Sequence, residues 1–482
     1  MIRLLALLLA LPVLAADEGD LAPVIAEVAR IQDEKGMRTA TIGFALIPLD
    51  AEDASALEGY HPDTALIPAS TLKAVTTATA AELLGPDFRF VTRLQHTGTV
   101  AEDGTLDGDI IVRGGGDPTL GSSQIARTFA KWHAALTEAG IRQIDGAIIG
   151  DASAFGTRMR PDSWQWNDLG NYYAAGACGL NFHQNQFFCR FRTGKAGTKA
   201  GFLGTDPRMP GVEFVNEMRV GPAGSGDHGY VYGAPYGTLL YLRGTVPAGA
   251  STFTIRGALP DPAYFCARAF TKHLAAKGVS VTGEPSTVRI LKTAGKSLGA
   301  RTDLFEQSSE PLAKLLVTTN HRSDNLHAEC IHRIMGVEHG EGGSTAAASR
   351  VVTAHWKAKG IDLTGFHMAD GCGLSRINTI TARQMALVHY HAAKCDGFEA
   401  FRASLPVAGK SGTLRSIGRE TAAAGRVRAK SGSIDRVKCY AGYIHARSGR
   451  RFAFALLINN YTAELYPLKT KIVRVWSKVV AL

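Results

Sequence analysis

The C-terminal part of the chain has the clearest hydrophobic pattern. The alternating stretch 426–430 and the mostly apolar stretches 437–446 and 451–459 predict three strands, and a turn at Ser448-Gly449 joins the last two. Apolar residues then recur at helical spacing over 472–479 and predict a final helix. The sequence therefore predicts an antiparallel meander followed by a helix.

The N-terminal part predicts a complementary set of elements. A short helix carries Val24, Val28 and Ile31 on one face, a strand follows over 39–49, and a longer helix spans 68–84. We expect these elements to join the C-terminal meander in one sheet-and-helix domain. The middle of the chain, roughly 150–260, is rich in glycine, asparagine and aromatic residues and predicts mixed, loop-rich structure.

Composition narrows the class of protein. The chain has 482 residues, of which 45% are hydrophobic and 20% charged, so disorder, collagen-like repeats and a small disulfide scaffold are excluded. The formal net charge of +10 is spread along the chain without a basic arm, which argues against nucleic-acid binding. Seven cysteines are dispersed; Cys178 and Cys189 are a candidate disulfide pair, with the unpaired alternative open.

The first residues are typical of a secretory signal peptide. Arg3 precedes the apolar run 4–14, and small residues at the end of that run predict cleavage after Ala15. An uncleaved anchor is the alternative, but the run is shorter than the ~20 residues that span a bilayer. We expect an exported, periplasmic protein with signal peptide 1–15 and no transmembrane segment in the mature chain.

Candidate chemistry begins with Ser70 and Lys73, which form an S-x-x-K pattern at the start of the predicted helix 68–84. Side chains three residues apart lie on the same helix face, so the lysine can reach the serine hydroxyl. A buried lysine can lose its proton and act as a general base for a serine nucleophile. Alone the pattern is weak, because a capping serine followed by a surface lysine is common.

Two further motifs strengthen this interpretation. Ser323-Asp324-Asn325 and Lys430-Ser431-Gly432-Ser433 follow in the order that serine acyl-transferases of the penicillin-binding and β-lactamase type use. Lys410-Ser411-Gly412-Thr413 fits the last motif equally well as a string of letters. We favour Lys430, because it ends a strand-like run that leads into the meander, whereas Lys410 follows a predicted loop.

With these motifs, the chain resembles the class C low-molecular-mass penicillin-binding proteins, the D-Ala-D-Ala carboxypeptidase/endopeptidase family. The resemblance runs from about residue 20 to the C-terminus. Further matching stretches are PASTLK (68–73), GGGDPTL (114–120), NDLGNYYAA (167–175), DGCGLSR (370–376) and LPVAG (405–409).

The resemblance implies a mixed α+β fold with a discontinuous domain organisation. Residues 16–92 and 285–482 would form the penicillin-binding catalytic domain, with an antiparallel sheet flanked by helices. Residues 93–284 would form a mixed α/β insertion, expected to hold two nested subdomains, since 253 positions separate Ser70 from Ser323.

The resemblance also implies roles in catalysis. Ser70 would be the acylated nucleophile and Lys73 its base. Ser323 would relay a proton to the leaving amine, and Asn325 would hold the substrate backbone. Lys430 would bind the terminal carboxylate of the substrate.

Substrate contacts are implied for a second set of residues. The hydroxyls of Ser431 and Ser433 would assist Lys430, with Gly432 between them, and the backbone N–H groups of Ser70 and Ser433 would form the oxyanion hole. Asp151 and Arg376 would contact the stem peptide, with Asp151 meeting the ammonium of a diaminopimelate side chain.

The sequence departs from the family pattern at three positions. Ser431 stands where the family usually has Thr, which keeps the hydroxyl. Cys372 replaces the usual Ser of the DGSGLSR-like loop, and Ser411 replaces the usual Asp after LPVAG. These differences concern loop packing and leave the reaction unchanged.

The sequence thus predicts a serine DD-peptidase that acts on peptidoglycan stem peptides and reacts covalently with β-lactam antibiotics. The balance of carboxypeptidase and endopeptidase activity stays open. A β-lactamase and a non-catalytic peptidoglycan-binding or β-lactam-sensing protein are alternatives.

No cofactor or metal is expected. The possible ligands His327, Glu329, Cys330, His332 and His339 lack the spacing of an H-E-x-x-H site. Gly114-Gly115-Gly116 lacks the Lys-Ser/Thr pair that completes a phosphate-binding loop.

Overall fold

The computed structural model describes residues 21–122 and 124–482, and it contains mixed helices and sheets. The predicted signal peptide, 1–15, lies outside the described residues. The strands are β1 (Thr41–Pro48), β2 (Glu58–Tyr60), β3 (Val91–His96), β4 (Thr99–Val100), β5 (Thr105–Asp107), β6 (Ile110–Gly114), β7 (Gln143–Asp145), β8 (Ile148–Asp151), β9 (Gln186–Arg192), β10 (Gly201–Asp206), β11 (Glu213–Asn216), β12 (Arg219–Gly221), β13 (His228–Tyr232), β14 (Leu239–Pro247), β15 (Thr252–Ala258), β16 (Ser286–Thr287), β17 (Thr302–Ser308), β18 (Val427–Ile434), β19 (Val437–His445) and β20 (Arg451–Asn459).

The α-helices are distributed along the whole of the described chain. They are α1 (Ala22–Asp33), α2 (Leu72–Leu83), α3 (Ile125–Glu138), α4 (Pro262–Ala276), α5 (Val288–Thr293), α6 (Leu312–Arg322), α7 (Asn325–Glu338), α8 (Thr345–Ala358), α9 (Ala382–Ala392), α10 (Phe398–Ser404) and α11 (Leu465–Ala481).

A five-stranded antiparallel sheet joins the two ends of the chain. Its order is β18-β19-β20-β1-β2, and β1 pairs with β20 through Ile42 opposite Ile458 and seven further residue pairs. This confirms the predicted C-terminal meander and its association with the N-terminal strand. Strand β18 lies at one edge, so its outer backbone groups are available to neighbouring elements.

Helices cover both faces of this sheet, because alternate side chains of each strand point to opposite sides. Phe44, Tyr440 and Phe454 pack with Trp476 of α11 and with α1 on one face. The other face packs against α2 and α6–α10 through a second buried cluster. This second layer contains both α2, which follows Ser70, and α7, which follows Ser323.

The interval between the two motifs forms separate sheets. One has the order β16-β8-β6-β3-β17. The others are β4-β5-β7, β10-β9-β15, and β11-β14-β12 with β13 alongside β14. Their buried clusters are distinct, one centred on Trp132 and Phe270 and the other on Phe187 and Leu242.

Strand pairing places the borders of this region differently from the sequence. β3 pairs along its length with β17, so the predicted borders at 93 and 284 cut through one hydrogen-bonded sheet. Residues 285–308, expected in the catalytic domain, instead contribute β16 and β17 to the inserted sheet. The chain leaves the catalytic region and returns to it through neighbouring strands, which the sequence pattern alone does not reveal.

The cysteines and the helices bear on two further expectations. All seven cysteines lie in the described part of the chain and are free thiols, so the candidate pair Cys178–Cys189 is not bonded. Within residues 21–122 and 124–482, no helix is long and apolar enough to cross a membrane.

Candidate active site

Ser70 lies in a tight turn directly before α2. The turn, Ala69–Thr71, is a short 3-10 helix, and Ala69 has a φ of 46°, a left-handed conformation that costs energy for a residue with a Cβ. Lys73 is on the first turn of α2, and its Nζ lies 3.0 Å from Ser70 Oγ. The predicted pairing of these two side chains is therefore present.

Three acceptors surround the Lys73 nitrogen. Besides Ser70, Nζ donates to Asn325 Oδ1 at 2.6 Å and to the Cys372 carbonyl at 2.6 Å. Burial lowers the pKa of Lys73, although several acidic groups nearby oppose this effect. A neutral Lys73 can keep the last two hydrogen bonds while its lone pair accepts the hydroxyl proton of Ser70.

Ser323 and Asn325 are placed by the junction between α6 and α7. Ser323 ends α6 in a left-handed conformation with a φ of 57°, and Asp324 caps α7 by accepting a hydrogen bond from the His327 N–H. Asn325 begins α7, and its Nδ2 donates to the Tyr173 carbonyl at 2.6 Å. The inserted region therefore supports a catalytic-domain motif directly.

Lys430 lies on the edge strand β18, as the sequence predicts. It is fully buried, and its Nζ donates to Ser323 Oγ at 2.9 Å and to the Ser431 carbonyl at 2.7 Å. Burial, together with the nearby Lys73, lowers the pKa of Lys430 well below its usual range. The other candidate, Lys410, is exposed in a loop after residue 409.

The backbone of β18 packs tightly against the turn that holds Ser70. A Cβ at Gly432 would lie 2.5 Å from the Pro68 carbonyl oxygen and 3.0 Å from the Ser70 nitrogen. Ser433, two residues after the buried Ser431, is exposed. Glycine at position 432 thus allows the strand carrying Lys430 and Ser433 to approach Ser70.

Two predicted substrate contacts lie outside this cluster of contacts. The Asp151 carboxylate, expected to meet a substrate ammonium, is 1% exposed and pairs with Arg301 at 2.6 Å. Burial alone would raise the pKa of Asp151, but hydrogen bonds from Ser153 and Arg301 lower it. The carboxylate is therefore already occupied by a cation. Arg376 is exposed on the loop after Ser375.

Several residues of the site lie in stretches that the sequence analysis quoted without giving them a role in the site. The carbonyls of Tyr173 and Cys372 hold Asn325 and Lys73, and backbone acceptors leave no residue-type signal. Thr413 belongs to the second K-S-G-T string, and its Oγ1 accepts a hydrogen bond from Ser431 Oγ at 2.8 Å. That string thus contributes its threonine, not its lysine.

One group of potential metal ligands lies behind the site. Single ligand atoms of Glu329, Asp370 and Cys372 lie within 4.8 Å of one another, and all three residues are buried. The Asp370 oxygens accept hydrogen bonds from Trp164 Nε1, two backbone N–H groups and Asn378 Nδ2. These donors satisfy Asp370 without an ion.

Comparisons with known proteins place the chain in a family. The family described as D-Ala-D-Ala carboxypeptidase 3 (S13) matches residues 24–478. A D-alanyl-D-alanine carboxypeptidase from Actinomadura sp. (strain R39) is 28% identical, with 95% of this chain and 85% of that protein covered.

Solved structures share the fold. Penicillin binding protein 4 from Haemophilus influenzae has a TM-score of 0.80 at 23% identity, covering 95% of this chain and 99% of that one. A predatory peptidoglycan endopeptidase from Bdellovibrio bacteriovorus has a TM-score of 0.50 at 17% identity, covering 92% and 94%.

Proposed function

Because the chain belongs to the D-Ala-D-Ala carboxypeptidase 3 (S13) family, we propose that it hydrolyses D-Ala-D-Ala ends of peptidoglycan stem peptides through an acyl-enzyme on Ser70. One observation carries the proposal: two fully buried lysines, Lys73 and Lys430, hydrogen-bond to serine hydroxyls. Neither forms an ion pair with a carboxylate among the described residues. Buried amines without a counter-ion are costly unless they serve a reaction or await an anion.

Acylation begins at Ser70. Lys73 accepts the hydroxyl proton as the oxygen attacks the carbonyl of the penultimate D-Ala. The N–H groups of Ser70 and Ser433 receive the developing oxyanion. Ser323, hydrogen-bonded to Lys430, passes a proton to the leaving amine. Water then attacks the carbonyl of the acyl-enzyme ester, and the Ser70 hydroxyl is released.

Substrate recognition follows from the charge of the second lysine. The terminal carboxylate would favour the protonated form of Lys430, which burial disfavours in the free site, and the hydroxyls of Ser431 and Ser433 on the same strand add hydrogen bonds. An endopeptidase reaction on a D-Ala-diaminopimelate crosslink cleaves the same type of bond and differs only in the amine that leaves. We therefore include crosslink cleavage in the proposal and place the enzyme in the periplasm, where its substrate is found.

Labelling with a fluorescent penicillin tests the proposal, since the β-lactam acylates the same serine. We expect stable labelling of the wild-type protein and none of Ser70→Ala. Lys430→Ala is expected to label poorly, and the matched control Lys410→Ala is expected to label normally because Lys410 is exposed in a loop. Labelling of Ser70→Ala would contradict the assignment of the nucleophile.

Product analysis separates the alternatives. Release of D-Ala from muropeptides supports the carboxypeptidase, and conversion of crosslinked dimers to monomers supports the endopeptidase. Rapid turnover of penicillin would instead favour a β-lactamase. Labelling without any muropeptide cleavage would favour a β-lactam sensor.

A further inference from the structure

Glu329 is a fully buried acid that the proposed reaction does not use. It lies on α7, one turn after Asn325, and has no exposed surface. Its Oε1 accepts a hydrogen bond from the Gly371 N–H at 2.8 Å. Its Oε2 is buried without a hydrogen-bond partner among the described residues. A half-satisfied buried carboxylate is costly and requires an explanation.

A short chain of contacts links Glu329 to the catalytic lysine. Gly371, which Glu329 holds, is followed by Cys372, whose carbonyl accepts the 2.6 Å hydrogen bond from Lys73 Nζ. The Gly371 carbonyl accepts a hydrogen bond from Thr76 Oγ1 on α2 at 2.6 Å. The 371–372 segment is thereby fixed between Glu329 on one side and the helix of Lys73 on the other.

The charge of Glu329 is affected by a second buried acid, Asp370. One oxygen of Glu329 lies within 4.8 Å of an Asp370 oxygen, and two buried carboxylates at this distance resist simultaneous ionisation. Asp370 accepts four hydrogen bonds, including those from Trp164 and Asn378, whereas Glu329 accepts one. Glu329 is therefore the member of the pair that is better suited to carry a proton.

The other titratable groups around Glu329 include His332, which packs against Gly371 and whose pKa burial lowers to about 3, so that it is neutral above that pH. Arg333 also faces Glu329, but it donates its hydrogen bonds to the carbonyls of Arg158 and Met159 instead. Around Lys73, the remaining groups are Asp324 and Lys430, with the Cys372 thiol between the two sites. None of these forms an ion pair with Lys73 or Glu329 in the described residues.

We propose that Glu329 is a positioning residue that holds the Cys372 carbonyl against Lys73 and, through its own charge, sets how readily Lys73 becomes neutral. A protonated Glu329 favours neutral Lys73, and an ionised Glu329 stabilises the ammonium. Burial and the nearby Asp370 raise the pKa of Glu329 to about 7, so its charge changes near neutral pH. The inference rests on the proposed function, in which Lys73 is the base.

The pH dependence of acylation tests this inference. The second-order rate of penicillin acylation is measured from pH 5 to 10 for the wild type, Glu329→Gln and Asp324→Asn. Glutamine keeps an acceptor for the Gly371 N–H but has no charge, so the acid limb is expected to move to lower pH by up to about one unit. Asp324→Asn keeps the helix cap and should shift the limb less, since Asp324 is only partly buried.

An unmoved acid limb in folded Glu329→Gln would overturn the inference, and so would an equal shift in Asp324→Asn. Glu329→Asp keeps the charge but has a shorter side chain that does not reach Gly371 as well. The acid limb of its acylation profile should therefore stay in place, while the plateau rate of acylation falls. A wild-type plateau in that variant would also overturn the positioning role. Failure of the wild type to acylate at any pH would overturn the proposed function first, and this inference with it.

Discussion

The Nζ of Lys430 lies 2.9 Å from the Oγ of Ser323, although 107 residues separate them along the chain. Lys430 belongs to the edge strand of the sheet and Ser323 to the junction of two helices. In the proposed reaction, their hydrogen bond would join the carboxylate-binding side of the site to the proton relay. A substrate carboxylate near Lys430 would therefore also affect the Ser323 hydroxyl.

Ser323→Ala is expected to lower D-Ala release by about 10²–10⁴-fold, the usual contribution of a general acid or base. The steady-state rate on a D-Ala-D-Ala peptide measures this loss. Combining it with Lys430→Met should cost much less than the product of the two single effects, because the residues act as one unit. Fully multiplicative effects would show that the two side chains work independently.

Gly432→Ala is expected to reduce acylation by about 10²-fold or more, the scale of a lost oxyanion donor. The added Cβ would lie 2.5 Å from the Pro68 oxygen and push β18 away from Ser70. Gly299→Ala is the matched control, because nothing lies within 4 Å of a Cβ there. Fluorescent-penicillin labelling rates compare the two, and equal rates would contradict the close-packing argument.

Asn325→Asp is expected to move the acid limb of acylation upward by about 1–3 pH units, because a carboxylate 2.6 Å from Lys73 Nζ would stabilise the ammonium. The pH profile of penicillin acylation measures the shift. Asn325→Ala, which adds no charge, should slow acylation without this upward movement. An upward shift in both variants would point to a structural effect instead.

Thr413→Val is expected to change substrate affinity more than catalysis. It removes the acceptor of the 2.8 Å hydrogen bond from Ser431, and a net hydrogen bond of about 0.5–1.5 kcal/mol corresponds to about a 2–10-fold rise in KM. Steady-state kinetics on a D-Ala-D-Ala peptide separate KM from kcat. A fall in kcat with unchanged KM would contradict a role in holding the carboxylate.

The wild type is expected to become less stable as the pH rises, and Glu329→Gln is expected not to show this decrease. The folded-state pKa of Glu329 is about 7, above the reference value of 4.5, so the folded state binds more protons between these values. Wild-type stability should therefore fall from about pH 4.5 to 7, by on the order of 3 kcal/mol relative to the variant. Urea unfolding across this range measures the difference, and parallel curves would contradict it.

Local pattern was sufficient for much of the catalytic domain. The apolar stretches at 437–446 and 451–459 match β19 and β20, since buried central strands need continuous apolar residues. The order and type of five residues identified side chains that the fold brings into two hydrogen-bonded groups. Lys73 binds Ser70 and Asn325 in one group, and Lys430 binds Ser323 in the other.

Tertiary structure alone decided the rest. Backbone acceptors such as the Cys372 and Tyr173 carbonyls have no residue signature, so only the fold shows that they hold Lys73 and Asn325. The pairing of β3 with β17 moved the border of the inserted region, because strand partners far apart in sequence are not encoded locally. The ion pair between Arg301 and Asp151 also became visible only in the fold, because 150 residues separate the two side chains. The sequence determined which groups could react, and long-range contacts decided which of them are buried, paired and within reach of Ser70.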